Sequence, residues 1–281
     1  RDNQMLASLA FHTFNKFGMR YIQMPKLTRT LQPVLHPPGK KAVSRLQQQV
    51  SLLTELRKKL PRHDRMELCL PPESDLPFAF VECGFRATQT FTFRSDPYAA
   101  GDPWLEMEQK TRNVVQSAQK RFSIEEHADI ERFIRLSRKE RASGQGEDRC
   151  DYPATARLFE AAHARHQAVI LSAMNDRSEE AAAAILVWDE HVVYYWLSVR
   201  DAQLSRGANS LLLWSAYRLA QKSRKIFDLD GFITPQNGMF LARFGFQPVA
   251  RTFVSYSTPV WQALFSIRSA FPAERAELRY R

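Results

Sequence analysis

Residues 204–248, LSRGANSLLLWSAYRLAQKSRKIFDLDGFITPQNGMFLARFGFQP, constrain the fold more than any other part of the chain. Arg206-Gly207 permits a tight turn whose backbone N–H groups can face an anion. Leu211, Leu212, Trp214, Ala216, Tyr217 and Leu219 then fall mostly on one side of a helix. Ile226, Phe227 and Leu229 alternate into a short buried strand, and Asp228 and Asp230 lie one strand period apart, on the same face. Gly231 marks the point where the chain leaves the sheet. A short helix and a final strand after Phe244-Gly245-Phe246 complete the segment.

This order of turn, helix, D-x-D-G strand end and F-x-x-R-F-G step resembles the C-terminal half of the GNAT acyltransferase fold, and more closely its FemAB-like branch. RYIQMPKLT (20–28) and EMEQKTRNVVQSAQK (106–120) are also similar to that branch. The resemblance implies an α+β fold with a mixed sheet, built as two GNAT-like domains in tandem over residues 1–122 and 123–281. It further implies transfer of an acyl or aminoacyl group from an activated donor to an amine.

The resemblance places the donor at Arg206, Gly207, Ala208 and Asn209. A CoA-binding loop of the form Arg/Gln-x-x-Gly-x-Gly/Ala, aligned on Gly207, would want Arg or Gln at Leu204 and Gly or Ala at Asn209. The tyrosine of that pattern would fall at Leu241. Both acyl-CoA and aminoacyl-tRNA stay open as donor substrates, with no permanently bound cofactor, and the departures favour the second.

The bulk charge adds a partner class. The formal net charge is +10, and it is uneven: 19 Lys/Arg against 11 Asp/Glu before residue 123 (+8), and 21 against 19 after it (+2). A basic first half suits tRNA, a nucleotide-sugar, CoA or an anionic membrane surface, although scattered solvated lysines give the same sum. No apolar run reaches the roughly 20 residues of a membrane span. Cys69, Cys83 and Cys150 show no metal spacing and fit structural thiols in a reducing compartment. The expected location is the cytoplasm, with a peripheral place at a membrane compatible. The chain starts at Arg1, which leaves room for a preceding segment. Nothing in the sequence sets an oligomeric state.

Elsewhere the pattern predicts a hairpin around Asn15–Gly18, a helix over 41–60 and strands at 65–70, 78–83 and 87–93. One helix is expected over 103–121, capped by Asp102, and it would bridge the domains. The second half reads as a strand at 122–127, helices over 128–141 and 153–166, a strand from Ala168, and two buried strands over 181–200 hinged at Asp189-Glu190. A last strand and a helix over 260–271 follow.

The candidate chemistry is weighed residue by residue. Asp228 or Asp230 could orient or deprotonate the attacking amine, which must be neutral to act as a nucleophile. A salt bridge to Arg200 or Arg243 explains the same residues. Arg112, with Lys110 and Lys120, is placed by the resemblance on donor or acceptor phosphates, though a solvated helix face accounts for it too. Arg243 could clamp a carboxylate or phosphate. Tyr194, Tyr195 and Trp196 alternate, so one side faces core and the other a cleft. Tyr195 is the candidate acid or hydrogen-bond donor, and Trp196 and Arg200 the candidate substrate contacts. His163 and His166, three apart on a helix, lack a third ligand, so no metal is expected. Two alternatives to the FemAB-like transferase remain: a CoA-dependent N-acetyltransferase, and a non-catalytic GNAT-like scaffold that binds RNA or another anionic partner. The C-terminal stretch VWQALFSIRSAF could lie on a membrane, suiting a lipid-linked cell-wall (peptidoglycan) acceptor, or simply pack as a helix.

Overall fold

The computed structural model describes residues 5–36, 41–95, 98, 102–144, 151–229 and 235–269. The chain forms two compact units, residues 1–91 with 249–281, and residues 92–248. The domain boundary expected at 122/123 falls inside the second unit.

The first unit contains β1 (Ala7–Ser8), β2 (His12–Lys16), β3 (Met19–Gln23), β4 (Val34–Leu35), α1 (Ala42–Lys59), β5 (Arg65–Cys69), α2 (Pro77–Glu82) and the start of β6 (Arg86–Ser95). β2 and β3 form the expected hairpin, β3 runs parallel to β5, and β5 pairs antiparallel with the late strand that closes the unit. Ile22, Leu53, Met66, Leu68, Phe80, Phe85 and Val254 make its core. The predicted strand at 78–83 is instead helix α2. Pro77 opens it, and Ala79 and Phe80 are buried while Phe78 and Val81 are exposed. A short apolar run is ambiguous by pattern, and here the helix buries its inner side.

The second unit contains α3 (Pro103–Glu106), α4 (Gln109–Gln119), β7 (Phe122–His127), α5 (Ile130–Ala142), α6 (Tyr152–His163), β8 (Ala168–Asn175), β9 (Glu180–Trp188), β10 (Val192–Arg200), α7 (Ala208–Lys222), β11 (Ile226–Asp228) and α8 (Pro235–Ala242). β12 (Gln247–Ser257) leads back to the first unit, followed by α9 (Pro259–Ser269). The sheet of the second unit has the order β6-β11-β10-β9-β8-β7. β7 to β10 form an antiparallel meander, β10 and β11 are parallel, and β11 and β6 are antiparallel.

Period-two alternation divides the faces. Leu171, Ala173, Ala182, Ala184, Val193 and Phe227 pack with Val115 and Ala118 of α4 and Leu211, Trp214 and Tyr217 of α7. The alanine run Ala181–Ala184 is fully buried, and its small side chains let helix and sheet approach closely. The single helix predicted over 103–121 is broken at Met107-Glu108. Met107 is buried, and the Glu108 N–H donates to the Arg243 carbonyl instead of continuing the helix. Asp102 caps α3 as expected, accepting from the Trp104 N–H at 2.9 Å.

Candidate active site

β10 and β11 pair in parallel only from Val192↔Ile226 to Tyr194↔Asp228. β10 then runs on to Arg200, and its register with β9 slips between Tyr195 and Leu197, so that Trp196 is the extra residue of a bulge. A bulge bends the strand and increases its twist. The two parallel strands therefore part beyond Tyr194 and Asp228, and the turn from β10 into α7 follows the parting point.

That turn is held by Asp201, a residue the sequence reading passed over. Asp201 is 2% exposed, and its Oδ1 accepts the N–H groups of Gln203 at 2.8 Å and Leu204 at 3.1 Å. Its Oδ2 meets Lys139 Nζ of α5 at 2.5 Å. Burial opposes its ionisation, but Lys139 and the two amides together keep its carboxyl below the usual carboxylate range. The signal was an aspartate directly after the strand, the start of an Asx turn.

Gly207 ends the turn at φ 85°, and a Cβ there would sit 3.3 Å from Ala118 Cβ of α4. Arg121 donates from its guanidinium to the Arg206 carbonyl. The Ala208 N–H is already bonded to the Ser205 carbonyl at 3.0 Å, and Ala208 is fully buried. The Arg206 side chain is exposed, and Asn209 lies half-buried in the first turn of α7. Of the four expected donor contacts, Arg206 and Asn209 are the ones whose side chains can reach a ligand.

Asp228 lies on the opposite sheet face from Phe227. It is 3% exposed, and its carboxylate accepts from Thr92 Oγ1 and from Arg94 Nε, each at 2.5 Å. The cation is Arg94 of β6, its register partner, rather than Arg200 or Arg243. Asp230 lies outside the described residues. Tyr194 stands beside Asp228 and donates to Asp189 Oδ2 at 3.3 Å; burial, then the charges of Asp189 and Asp228, raise its pKa. Tyr195 turns to the core face, against Phe227. Its hydroxyl is buried near Ser198 without a hydrogen bond of normal geometry, and burial raises its pKa. Both phenols are neutral donors near pH 7.

The remaining candidates are dispersed. Arg112 donates to the carbonyls of Leu105 at 2.9 Å, Met107 at 2.6 Å and Trp104 at 3.3 Å, and also to Gln109. The guanidinium is a clamp on the end of α3, while Lys110 and Lys120 are exposed. Arg200 pairs with the largely buried Glu140 at 3.6 Å, and Arg243 with Glu108 at 3.5 Å at the surface. Trp196 is buried, at 7% exposure. His163 Nδ1 meets the Ala168 carbonyl at 3.0 Å, and its ring stacks on Phe159.

Residues 106–231 match the family described as acetyltransferase (GNAT) domain. No curated protein matches the chain. Among solved structures, FemX superposes with a TM-score of 0.67 at 12% identity, over 95% of this chain and 88% of that one. L-PGS from Bacillus licheniformis gives 0.59 at 10% identity, over 93% and 85%. The C-terminal domain of a protein named as a lysylphosphatidylglycerol synthetase from Agrobacterium fabrum gives 0.58 at 14%, over 92% and 87%. At these identities the likeness is one of fold.

Proposed function

We propose that this chain, a GNAT-superfamily protein with the fold of the FemAB-like branch, transfers an aminoacyl group from aminoacyl-tRNA to an amine. Acyl or aminoacyl transfer follows from the superfamily; the donor is the finer reading. The observation that carries it is Asp201. In the turn before α7, the amides of Gln203 and Leu204 are engaged by the chain's own carboxylate. A CoA pyrophosphate would have to compete with that fixed negative charge. The exposed Arg206 next to it is left to meet a more distant backbone phosphate.

In this reading the donor carbonyl lies where β10 parts from β11. The amine nitrogen attacks the carbonyl carbon, a C–N bond forms, and the ester C–O bond to the tRNA ribose breaks. One proton leaves the nitrogen and one reaches the departing ribose oxygen. Backbone N–H groups at the bulged strand are suited to the oxyanion. The Tyr195 hydroxyl is buried on the core face, so the proton for the leaving oxygen comes from water in the cleft. Asp228 holds the β6–β11 pair together rather than taking the proton, because both its oxygens are engaged. The name lysylphosphatidylglycerol synthetase is that of an enzyme handling an aminoacyl group, which supports the same donor class. A CoA donor is the second reading, favoured by the description of the matching family as an acetyltransferase domain.

Thermal stabilisation by acetyl-CoA, CoA, charged tRNA and uncharged tRNA, at low and moderate salt, separates the two, since a ligand of the folded state raises the melting temperature by mass action. Charged tRNA is expected to raise it at both salts, and Arg206→Ala to reduce the shift. A CoA shift abolished by Arg206→Ala overturns the tRNA donor.

A further inference from the structure

The first unit carries a surface that the transfer reading does not use. From residue 3 to residue 54 the sequence contains no Asp or Glu, but it holds Lys16, Arg20, Lys26, Arg29, Lys40, Lys41 and Arg45. The β2–β3 hairpin projects from this stretch at the edge of its sheet. At its tip stands Phe17, 68% exposed and at φ 53°. A bulky residue in the left-handed region is uncommon, because Asn or Gly would be relaxed there. Phe17 is not part of the unit's hydrophobic core, and most of the residue is exposed. Lys16 lies over that ring at 5.6 Å, and Arg20 is exposed on the other strand.

Apolar exposure extends to α9, whose first turn is fixed to the same hairpin. Trp261 Nε1 donates to the Tyr21 hydroxyl at 3.1 Å, and Tyr21 stacks on Phe14. On that helix Val260 and Leu264, four apart and so on one side, are 65% and 50% exposed. Lys16 and Arg20 beside Phe17, with the exposed aliphatic side chains of α9, fit an anionic lipid interface, where the charges meet headgroups and the apolar side chains enter the acyl boundary. RNA would be served by the cations and one ring, but not by Val260 and Leu264.

We propose that the Lys16–Arg20 hairpin tip, with the exposed side of α9, docks this protein on an anionic membrane surface, with Phe17 inserted. The readout needs no turnover, so it stands or falls separately from the transfer reading. The full chain is sedimented with vesicles of phosphatidylcholine alone or with phosphatidylglycerol added. The wild type is expected in the pellet with the anionic vesicles only. Phe17→Asn, which suits φ 53°, is expected to fold normally and to weaken binding about tenfold or more. The emission that Phe17→Trp adds to that of the five native Trp, taken as the difference from the wild type, is expected to be blue-shifted on anionic vesicles. Wild type remaining in the supernatant, unchanged binding by Phe17→Asn, or an unshifted Trp emission overturns the proposal. Loss of tRNA binding in Phe17→Asn with vesicle binding intact does so too, and makes the hairpin an RNA contact.

Discussion

Asp228 and Arg94 stand opposite each other in the β11–β6 register, and their side chains meet at 2.5 Å with 4% and 7% exposure. An ion pair this far from water is costly to half-remove, because the remaining charge is buried without its partner.

Arg94→Leu is therefore expected to lower the unfolding free energy by about 3–5 kcal/mol, measured by urea denaturation. Asp228→Asn, which keeps the Thr92 bond, is expected to cost less. If Asp228→Asn abolished transfer while its denaturation midpoint stayed at the wild-type value, Asp228 would be a proton acceptor instead of a strand tie.

Gly245 is the second test. It lies at φ 81°, and a Cβ on it would be 2.8 Å from Glu106 Cβ and 3.1 Å from that residue's carbonyl carbon. Gly245→Ala combines a left-handed backbone penalty of about 1–2 kcal/mol with overpacking against α3. A loss of about 2–4 kcal/mol in unfolding free energy is expected. Phe244 and Phe246 on either side are buried, so no outward swing relieves the clash.

A third test concerns pH. His127 Nε2 lies 2.8 Å from Ser172 Oγ, and the Asp129 N–H donates to its Nδ1 at 3.1 Å. Ser172 in turn donates to Glu180, which pairs with Arg132 Nε at 3.1 Å. Burial, then the Arg132 charge, lowers the His127 pKa below 6.5. The unfolded chain then binds the proton more readily, so this residue's contribution is present above pH 6.5 and is lost as pH falls through the lowered folded value. Glu140, raised chiefly by burial, acts with the opposite sign above pH 4.5, so the comparison needs a variant. His127→Gln is expected to flatten the fall in urea midpoint below pH 6.5. An unaltered slope would remove His127 from the acid response.

The sequence made legible whatever depends on local period. The strands around Asp189-Glu190, helix α7 and the strand carrying Phe227 and Asp228 are all found where alternation or helical spacing put them. Its errors arise where a distant group decides. α2 is helical because its inner side meets the first unit's core, which a six-residue apolar run does not reveal. The break after α3 depends on Arg112 clamping three carbonyls and on the Arg243 carbonyl. Arg94 is 134 residues from Asp228, so the nearer Arg200 and Arg243 looked like better partners. Asp201 was hidden because an Asx turn reads as plain loop until its amide partners are known.

Asp201 also bears on how the turn before α7 behaves when empty. A tethered carboxylate acts at an effective concentration no solute reaches, so its bonds to Gln203 and Leu204 outlast dilution and competition. The loop that most phosphate sites must order at the moment of binding is ordered beforehand here. Whatever donor meets Arg206 finds a finished surface, and its affinity is not diminished by the entropy of shaping one.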